Sequence, residues 1–163
     1  MGCDIHMIAE KQSRYDDDKD GWVPLLTPLF KNKHYRSAEK LSDFNCPYSF
    51  QPWDDRHYEL FSVLANVRNG YNIEPISTPR GYPMDMHDVS QWLLDGFDYA
   101  EHSRTWLSLE EVLAYNWSKA ESTYVPGGTL AKSCGEFLRN MELLKQYGED
   151  ENCDIRLVFG FDS

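Results

Sequence analysis

The chain starts and ends in segments with the pattern of β-strands, and this constrains its fold more than any other feature. Every second residue from 155 to 161 is apolar, which is the period of a strand with one apolar face. Residues 3–12 also indicate a strand. Because helical patterns lie between these segments, we predict one α+β domain over residues 1–163. Its two terminal strands are expected to be neighbours in a small mixed or antiparallel sheet that about four helices cover.

Two further strands and one long loop are predicted. Residues 22–26 indicate a strand that forms a hairpin with the first one, and Pro24 places it at a sheet edge because proline cannot donate a ladder hydrogen bond. A short strand is predicted at 104–107. The stretch 27–53 has little period, so we predict a loop with a short helix around 37–41.

Four segments have the apolar period or the end signals of helices. They are a helix from 56 to 68 capped by Asp54 or Asp55 and stopped by Asn69-Gly70, a short helix capped by Asp85, a helix that starts from a capping box at 108–111, and a longer helix over 129–147 terminated by Gly148. All four lie between the terminal strands, as the predicted α+β fold requires.

The composition is that of a folded protein, with 41% hydrophobic and 14% aromatic residues among 163. The formal net charge of -11 opposes direct binding to nucleic acid or to an anionic membrane. No apolar run approaches the ~20 residues of a membrane helix and no secretion signal is recognisable, so we expect a cytoplasmic protein. Cys3, Cys46, Cys134 and Cys153 are scattered, and we expect reduced, mostly buried thiols.

Asp4 and His6 are the first candidate site. Residues two apart in a strand lie on the same face, so the carboxylate of Asp4 and the imidazole of His6 should stand side by side. This arrangement suits a metal, a phosphate or a proton-transfer site.

The histidines form no standard zinc motif. They are His6, His34, His57, His87 and His102, and no two have the spacing of such a motif. A divalent metal would therefore need ligands from distant segments, for which Asp4, His6 and His102 are the candidates. His6 and His102 are also candidates for general acid or base. Residues 16–21 match the first half of a calcium loop, but Thr27 replaces its bidentate carboxylate, which favours a solvated hairpin turn.

Four arginines are candidates for binding an anion. Arg56 and Arg68 lie at the start and end of the first predicted helix, Arg80 lies in a stiff loop before the next helix, and Arg104 follows His102 closely. Guanidinium groups on rigid loops near helix starts often bind phosphate or carboxylate. Structural salt bridges are the alternative, and for Arg68 also an interaction with the helix dipole.

Several blocks of the chain together resemble a family of small proteins found in bacteriophage and prophage genomes. The blocks are the opening Met-Gly-Cys-Asp-Ile-His, the helix at 58–68, Arg80-Gly81-Tyr82-Pro83, His102-Ser103 before 106–111, and the closing segment 156–162. The resemblance excludes 27–53. It implies a phage setting, and it implies one pocket assembled from Asp4, His6, Arg68, Arg80 and His102. Where similar chains carry His-Ser-His, this one has arginine at 104, which puts a metal site in doubt and adds a cation to an anion pocket.

Two functions remain open from the sequence. In the first, Arg56, Arg68 and Arg80 hold a phosphorylated small molecule such as a nucleotide, while Asp4, His6 and His102 bind a metal or transfer protons. Metal-dependent phosphoester hydrolysis, or sequestration of a nucleotide signal of host defence, would follow. In the second, carboxylates at 16–20 and 149–151 make an acidic protein that inhibits a host protein. The dispersed charge favours the first, and a homo-oligomer is compatible with both.

Overall fold

The structure is a computed structural model that describes residues 2–15, 21–33, 46–97 and 99–163. Its strands are β1 (Asp4–Ser13), β2 (Val23–Pro24), β3 (Phe30–Lys31), β4 (Tyr48–Ser49), β5 (His102–Ser108) and β6 (Cys153–Asp162). Its helices are α1 (Tyr58–Ala65), α2 (Asp88–Gln91), a π-helix (Trp92–Phe97), α3 (Leu109–Ala114), α4 (Leu130–Ser133) and α5 (Gly135–Glu151). The predicted turn at 16–20, with its partial calcium pattern, and the predicted helix at 37–41 lie outside the described residues.

A four-stranded antiparallel sheet in the order β2-β1-β6-β5 forms the centre of the fold. β1 and β6 pair along their whole length, from Asp4 opposite Asp162 to Ser13 opposite Cys153. The predicted α+β fold and the predicted contact between terminal strands are therefore confirmed. β2 lies at an edge, as Pro24 indicated. Within the predicted loop, β3 and β4 form a separate small sheet whose two-residue strands are too short to give a sequence period.

Both faces of the four-stranded sheet are buried. On one face, Ile5 and Met7 of β1 belong to the main core, which includes residues of α1 and α5. On the other face, Ile8 and Val158 pack with Leu94 of the π-helix. The sequence predicted one apolar face for β6, but both of its faces are buried, because α2 and the π-helix cover the second face.

Histidine rings cap two helices for which the sequence suggested aspartates. The Nδ1 atom of His57 accepts a hydrogen bond from the backbone N–H of Leu60 at 3.2 Å and caps α1. His87 caps α2 in the same way, through Val89. A neutral imidazole has one acceptor nitrogen and can replace a carboxylate in this role. The aspartates nearby serve other contacts, such as that of Asp85 with an arginine of β6.

α5 extends beyond its predicted end. The helix passes through Gly148 and stops at Asn152, whose φ of 50° is left-handed. A Cβ atom at Gly148 would lie 3.1 Å from the carbonyl oxygen of Cys153, so this glycine permits close contact between α5 and β6. Among the described helices, none is long and apolar enough to cross a membrane.

A buried ion pair crosses the second face of the sheet. Glu10 accepts hydrogen bonds from Nε and Nη2 of Arg156 at 2.9 and 2.7 Å. The two side chains are 0% and 5% exposed. The other carboxylate oxygen of Glu10 accepts from Ser90 Oγ at 2.7 Å and from the backbone N–H of His87 at 3.0 Å. The pair therefore joins β1 and β6 to α2, and it fixes the position of the helical layer on the sheet.

Candidate functional site

Most of the predicted site residues lie at one end of the sheet, where β1 and β5 begin and β6 ends. A cleft of about 530 Å³ opens there. We call it the Asp4 cleft, and it is lined by Asp4, Ile5, His6, Gln51, Asp54, Asp55 and Arg56. The sheet supplies its β1 wall, and the segment before α1 supplies the opposite wall.

His6 forms a hydrogen-bonded pair with Asp162. The distance from His6 Nε2 to Asp162 Oδ2 is 2.7 Å, and the two side chains are 17% and 33% exposed. The residue directly opposite His6 is Gly160, which has no side chain, so the ring can reach Asp162 diagonally across the two strands. A carboxylate in this position holds an imidazole in one orientation. The pair is therefore a suitable unit for proton transfer.

Asp4 is bound by Arg56. The Nε and Nη2 atoms of Arg56 donate to the two carboxylate oxygens at 2.9 and 3.0 Å, a two-pronged contact in which both side chains are about half exposed. These hydrogen bonds hold the pKa of Asp4 below its ordinary value. The guanidinium also packs on Gly2, where any side chain would collide with it. Asp4 and His6 thus each have a separate partner, although they share a strand face as predicted.

His102 does not join Asp4 and His6. It pairs with Phe161 across β5 and β6, and its ring stacks on the ring of Phe161 at 6.2 Å. The side chain of Phe161 belongs to the main core, on the opposite face of the sheet from Asp4 and His6. The described part of the chain contains no group of three His, Cys, Asp or Glu side chains that could hold a metal ion. The structure therefore does not bring Asp4, His6 and His102 together as the predicted metal site requires, because the strand register separates the two histidines.

His102 has its own polar surroundings at the start of β5. Its Nδ1 atom lies 3.0 Å from Ser103 Oγ, and its Nε2 atom lies 3.1 Å from Ser163 Oγ. Ser103 has a φ of 52° and sits in an irregular part of β5. Catalytic roles for His6 and His102 in one common site are not compatible with this separation.

The four candidate arginines also lie in different places. Arg56 lines the Asp4 cleft. Arg80 donates to the Glu111 carboxylate, with Nη1 to Oε2 at 2.9 Å. Arg104 lies 3.4 Å from an Asp95 oxygen. Arg68 stacks over a tyrosine of α1, with 5.8 Å between the guanidinium carbon and the ring centroid. The chain therefore does not gather the predicted arginines, or the set Asp4, His6, Arg68, Arg80 and His102, into one pocket.

The Arg80–Glu111 pair gives a pH-dependent prediction. Its hydrogen bonds lower the pKa of Glu111 from 4.5 to about 2. Because the pKa is depressed in the folded state, the pair stabilises the fold fully above pH 4.5 and loses this effect as the pH falls towards 2. We expect the stability difference between the wild type and Glu111→Gln to shrink between about pH 6 and about pH 3, measured by urea unfolding. Glutamine keeps the capping box with Ser108.

The control for this experiment is Glu74→Gln. Glu74 pairs with Lys119 at 3.4 Å, and both side chains are at least 70% exposed. Glu74→Gln should change the free energy of unfolding only slightly, and this small change should be the same over the whole pH range. A Glu111→Gln effect that is equally large at both pH values would contradict the proposed ion-pair contribution.

One signal in the sequence could have identified Asp162, which the sequence analysis missed. If β1 and β6 are aligned as antiparallel neighbours, the last aspartate falls beside the start of β1. The Asp4 cleft then combines the oriented imidazole of His6 with the guanidinium of Arg56. Two of the five N–H donors of this guanidinium bind Asp4.

A scan against protein-family models, a search of curated proteins and a search of solved structures each found no match.

Proposed function

We propose that the protein binds a phosphorylated small molecule of the nucleotide type in the Asp4 cleft, with His6 as the proton-transfer group. The observation that carries this proposal is that His6, oriented by Asp162, lines the same cleft as Arg56. A guanidinium offers paired donors to phosphate oxygens, and an imidazole can give a proton to, or take one from, a neighbouring oxygen.

The proposal is narrower than the one drawn from sequence. Of the four candidate arginines, it keeps Arg56 and omits Arg68, Arg80 and Arg104. It includes no metal site built from Asp4, His6 and His102. The negative charge of the cleft is partly compensated, because Asp4 is paired with Arg56 and Asp55 lies 3.1 Å from Lys33 Nζ. A phosphate would therefore compete with the Asp4 carboxylate for Arg56.

A phage setting is part of the same proposal, and the sequence blocks that resemble phage and prophage proteins support it. In that setting the ligand is a nucleotide signal of host defence. Sequestration needs only the cleft, whereas phosphoester hydrolysis also needs His6 to transfer a proton. The two versions therefore differ in whether the bound nucleotide stays intact or is hydrolysed over time.

Binding can be tested with three probes, inorganic phosphate, AMP and a cyclic dinucleotide, by isothermal titration calorimetry. We expect at least one nucleotide to bind with a Kd below about 1 mM and Arg56→Gln to weaken it by about tenfold or more. The matched control is Arg14→Gln, because Arg14 is also a half-exposed arginine paired with an aspartate, Asp154, but lies outside the cleft.

Phosphorus NMR of the same mixtures separates sequestration from hydrolysis. An unchanged nucleotide spectrum indicates sequestration, while a new phosphate signal that His6→Gln abolishes indicates hydrolysis. The proposal fails if none of the probes binds, or if Arg14→Gln weakens binding as much as Arg56→Gln does.

A further inference from the structure

The segment that covers the second face of the sheet exposes large apolar side chains to solvent. Trp92 and Phe97 are each 60% exposed. We call the following group the Trp92 surface: Met84, Val89, Trp92, Phe97 and Tyr99. Scattered exposed apolar residues are ordinary, but a concentration of aromatic residues in one short segment is typical of an interaction site.

The π-helix explains why two of these rings are exposed together. A π-helical turn bonds residues five apart, so Phe97 follows Trp92 on the same side of the segment. Their ring centroids are 6.1 Å apart. The Trp92 ring also lies over Gly96, where a Cβ atom would come within 3.0 Å of it. The rings are therefore held in place by the helix itself, and π-helical turns occur frequently at functional sites.

The opposite side of the segment is firmly attached to the sheet. Leu94 is fully buried against Ile8 and Val158. Ser90, also fully buried, donates to Glu10 at 2.7 Å. The helical layer thus already packs against the sheet through its buried side. Its exposed side is therefore not needed to complete the hydrophobic core. The paired rings of Trp92 and Phe97 form its rigid apolar part, which loses little conformational entropy on binding.

The charge around this surface defines the partner. Residues 84–103 contain five acidic residues and no lysine or arginine, and two of the five, Asp85 and Asp95, already pair with Arg156 and Arg104. Asp88 and Glu101 are exposed. A second copy of the chain would bring like charges together, and an anionic membrane would be repelled. A protein surface with a lysine- and arginine-rich rim complements the acidic residues, and an apolar centre on it complements the rings.

We propose that the Trp92 surface docks a protein surface that is apolar at its centre and basic at its rim. This docking site is independent of the Asp4 cleft and needs no ligand there. A basic protein partner is also what the second hypothesis from the sequence requires, in which this acidic protein inhibits a host protein. The docking site proposed here, however, does not use the carboxylates at 16–20 and 149–151. The aromatic residues supply the binding energy, and the acidic residues supply orientation and the association rate.

The test uses ¹⁵N-labelled protein and a synthetic amphipathic helical peptide of leucine and lysine as probe, with a leucine–glutamate peptide of the same length as its counterpart. The indole N–H signal of Trp92 reports on the surface, and that of Trp117, which is 6% exposed, serves as internal reference. We expect the lysine peptide to shift the Trp92 signal and not the Trp117 signal. Added salt should weaken this binding several-fold, because the charges that attract the peptide are exposed.

A double variant, Trp92→Ser with Phe97→Ser, should weaken binding of the dye-labelled lysine peptide by about tenfold or more, measured by fluorescence anisotropy. The control is Leu143→Ser, because Leu143 is 46% exposed on α5, away from this segment. A well-dispersed amide spectrum of the double variant establishes that it is folded. Equal binding of both peptides, equal loss in both variants, binding to phosphatidylglycerol vesicles, or concentration-dependent self-association through Trp92 would each overturn the proposal.

Discussion

Replacing Arg156 with methionine is expected to lower the free energy of unfolding by about 3–5 kcal/mol. The change removes the cation that binds Glu10 through two hydrogen bonds, and it leaves a carboxylate that is 0% exposed without its charged partner. Methionine keeps the aliphatic part of the side chain but not the guanidinium group, whose carbon lies 4.2 Å from the centroid of the Trp22 ring. The loss should therefore come mainly from the buried charge of Glu10, with a smaller part from the lost contact with Trp22. Urea unfolding at neutral pH measures it directly.

Two further variants identify the cause of this loss. Arg14→Met removes an arginine from an exposed pair with Asp154, and it should cost far less stability than Arg156→Met. The double variant Arg156→Met with Glu10→Leu removes both buried charges, and it should recover a large part of the stability. If Arg156→Met and Arg14→Met cost the same, the buried pair does not have the importance assigned to it.

The buried pair also links the sheet to the proposed docking surface. Glu10 holds Ser90 and the backbone of His87, at the start of the helical layer that carries Trp92. Loss of Arg156 should therefore disturb the exposed side of this layer as well as the core. The Asp4 cleft lies at the start of β1, whereas Glu10 is in its second half, so the two candidate sites can be perturbed separately.

The parts of the fold that the sequence predicted are those with local signals. The alternation along β6 and the capping box at Ser108 depend on residues close in sequence, and the strand and the helix start that they predict are both present. Pro24 marked an edge strand for a local reason as well. The π-helix could not be predicted in this way, because its five-residue spacing is stabilised by burial of Leu94 against the sheet. The strands β3 and β4 could not be predicted from a sequence period because each contains only two residues.

The site could be predicted only in part because side-chain direction depends on strand register. Asp4 and His6 share a face, which the two-residue period of one strand determines. Whether His102 shares that face depends on which residue of β6 it pairs with, and it pairs with Phe161. A shift by one residue would have placed it beside Gly160, on the face of His6. No pattern within β5 fixes that choice, so the prediction of one common pocket had no local support.

Replacing Phe137 with alanine is expected to cost about 3–5 kcal/mol of stability. Phe137 is fully buried on α5, and its ring lies 5.9 Å from the rings of both Trp53 and Trp117. The variant leaves a cavity between α5 and the segment before α1, which carries one wall of the Asp4 cleft. The control on the same helix is Leu143→Ala, which should change stability by no more than about 0.5 kcal/mol because Leu143 is exposed.

The same substitution should reach the Asp4 cleft through Trp53. The indole N–H of Trp53 donates to the backbone carbonyl of Asp55 at 2.7 Å, and Asp55 lines the cleft next to Arg56. Without Phe137 the Trp53 ring loses an edge-to-face contact, and the cleft wall that it supports becomes less well fixed. We therefore expect Phe137→Ala to increase hydrogen exchange at the backbone amide of Arg56, and Leu143→Ala to leave it unchanged. Equal exchange in both variants would mean that the cleft is positioned by the sheet alone.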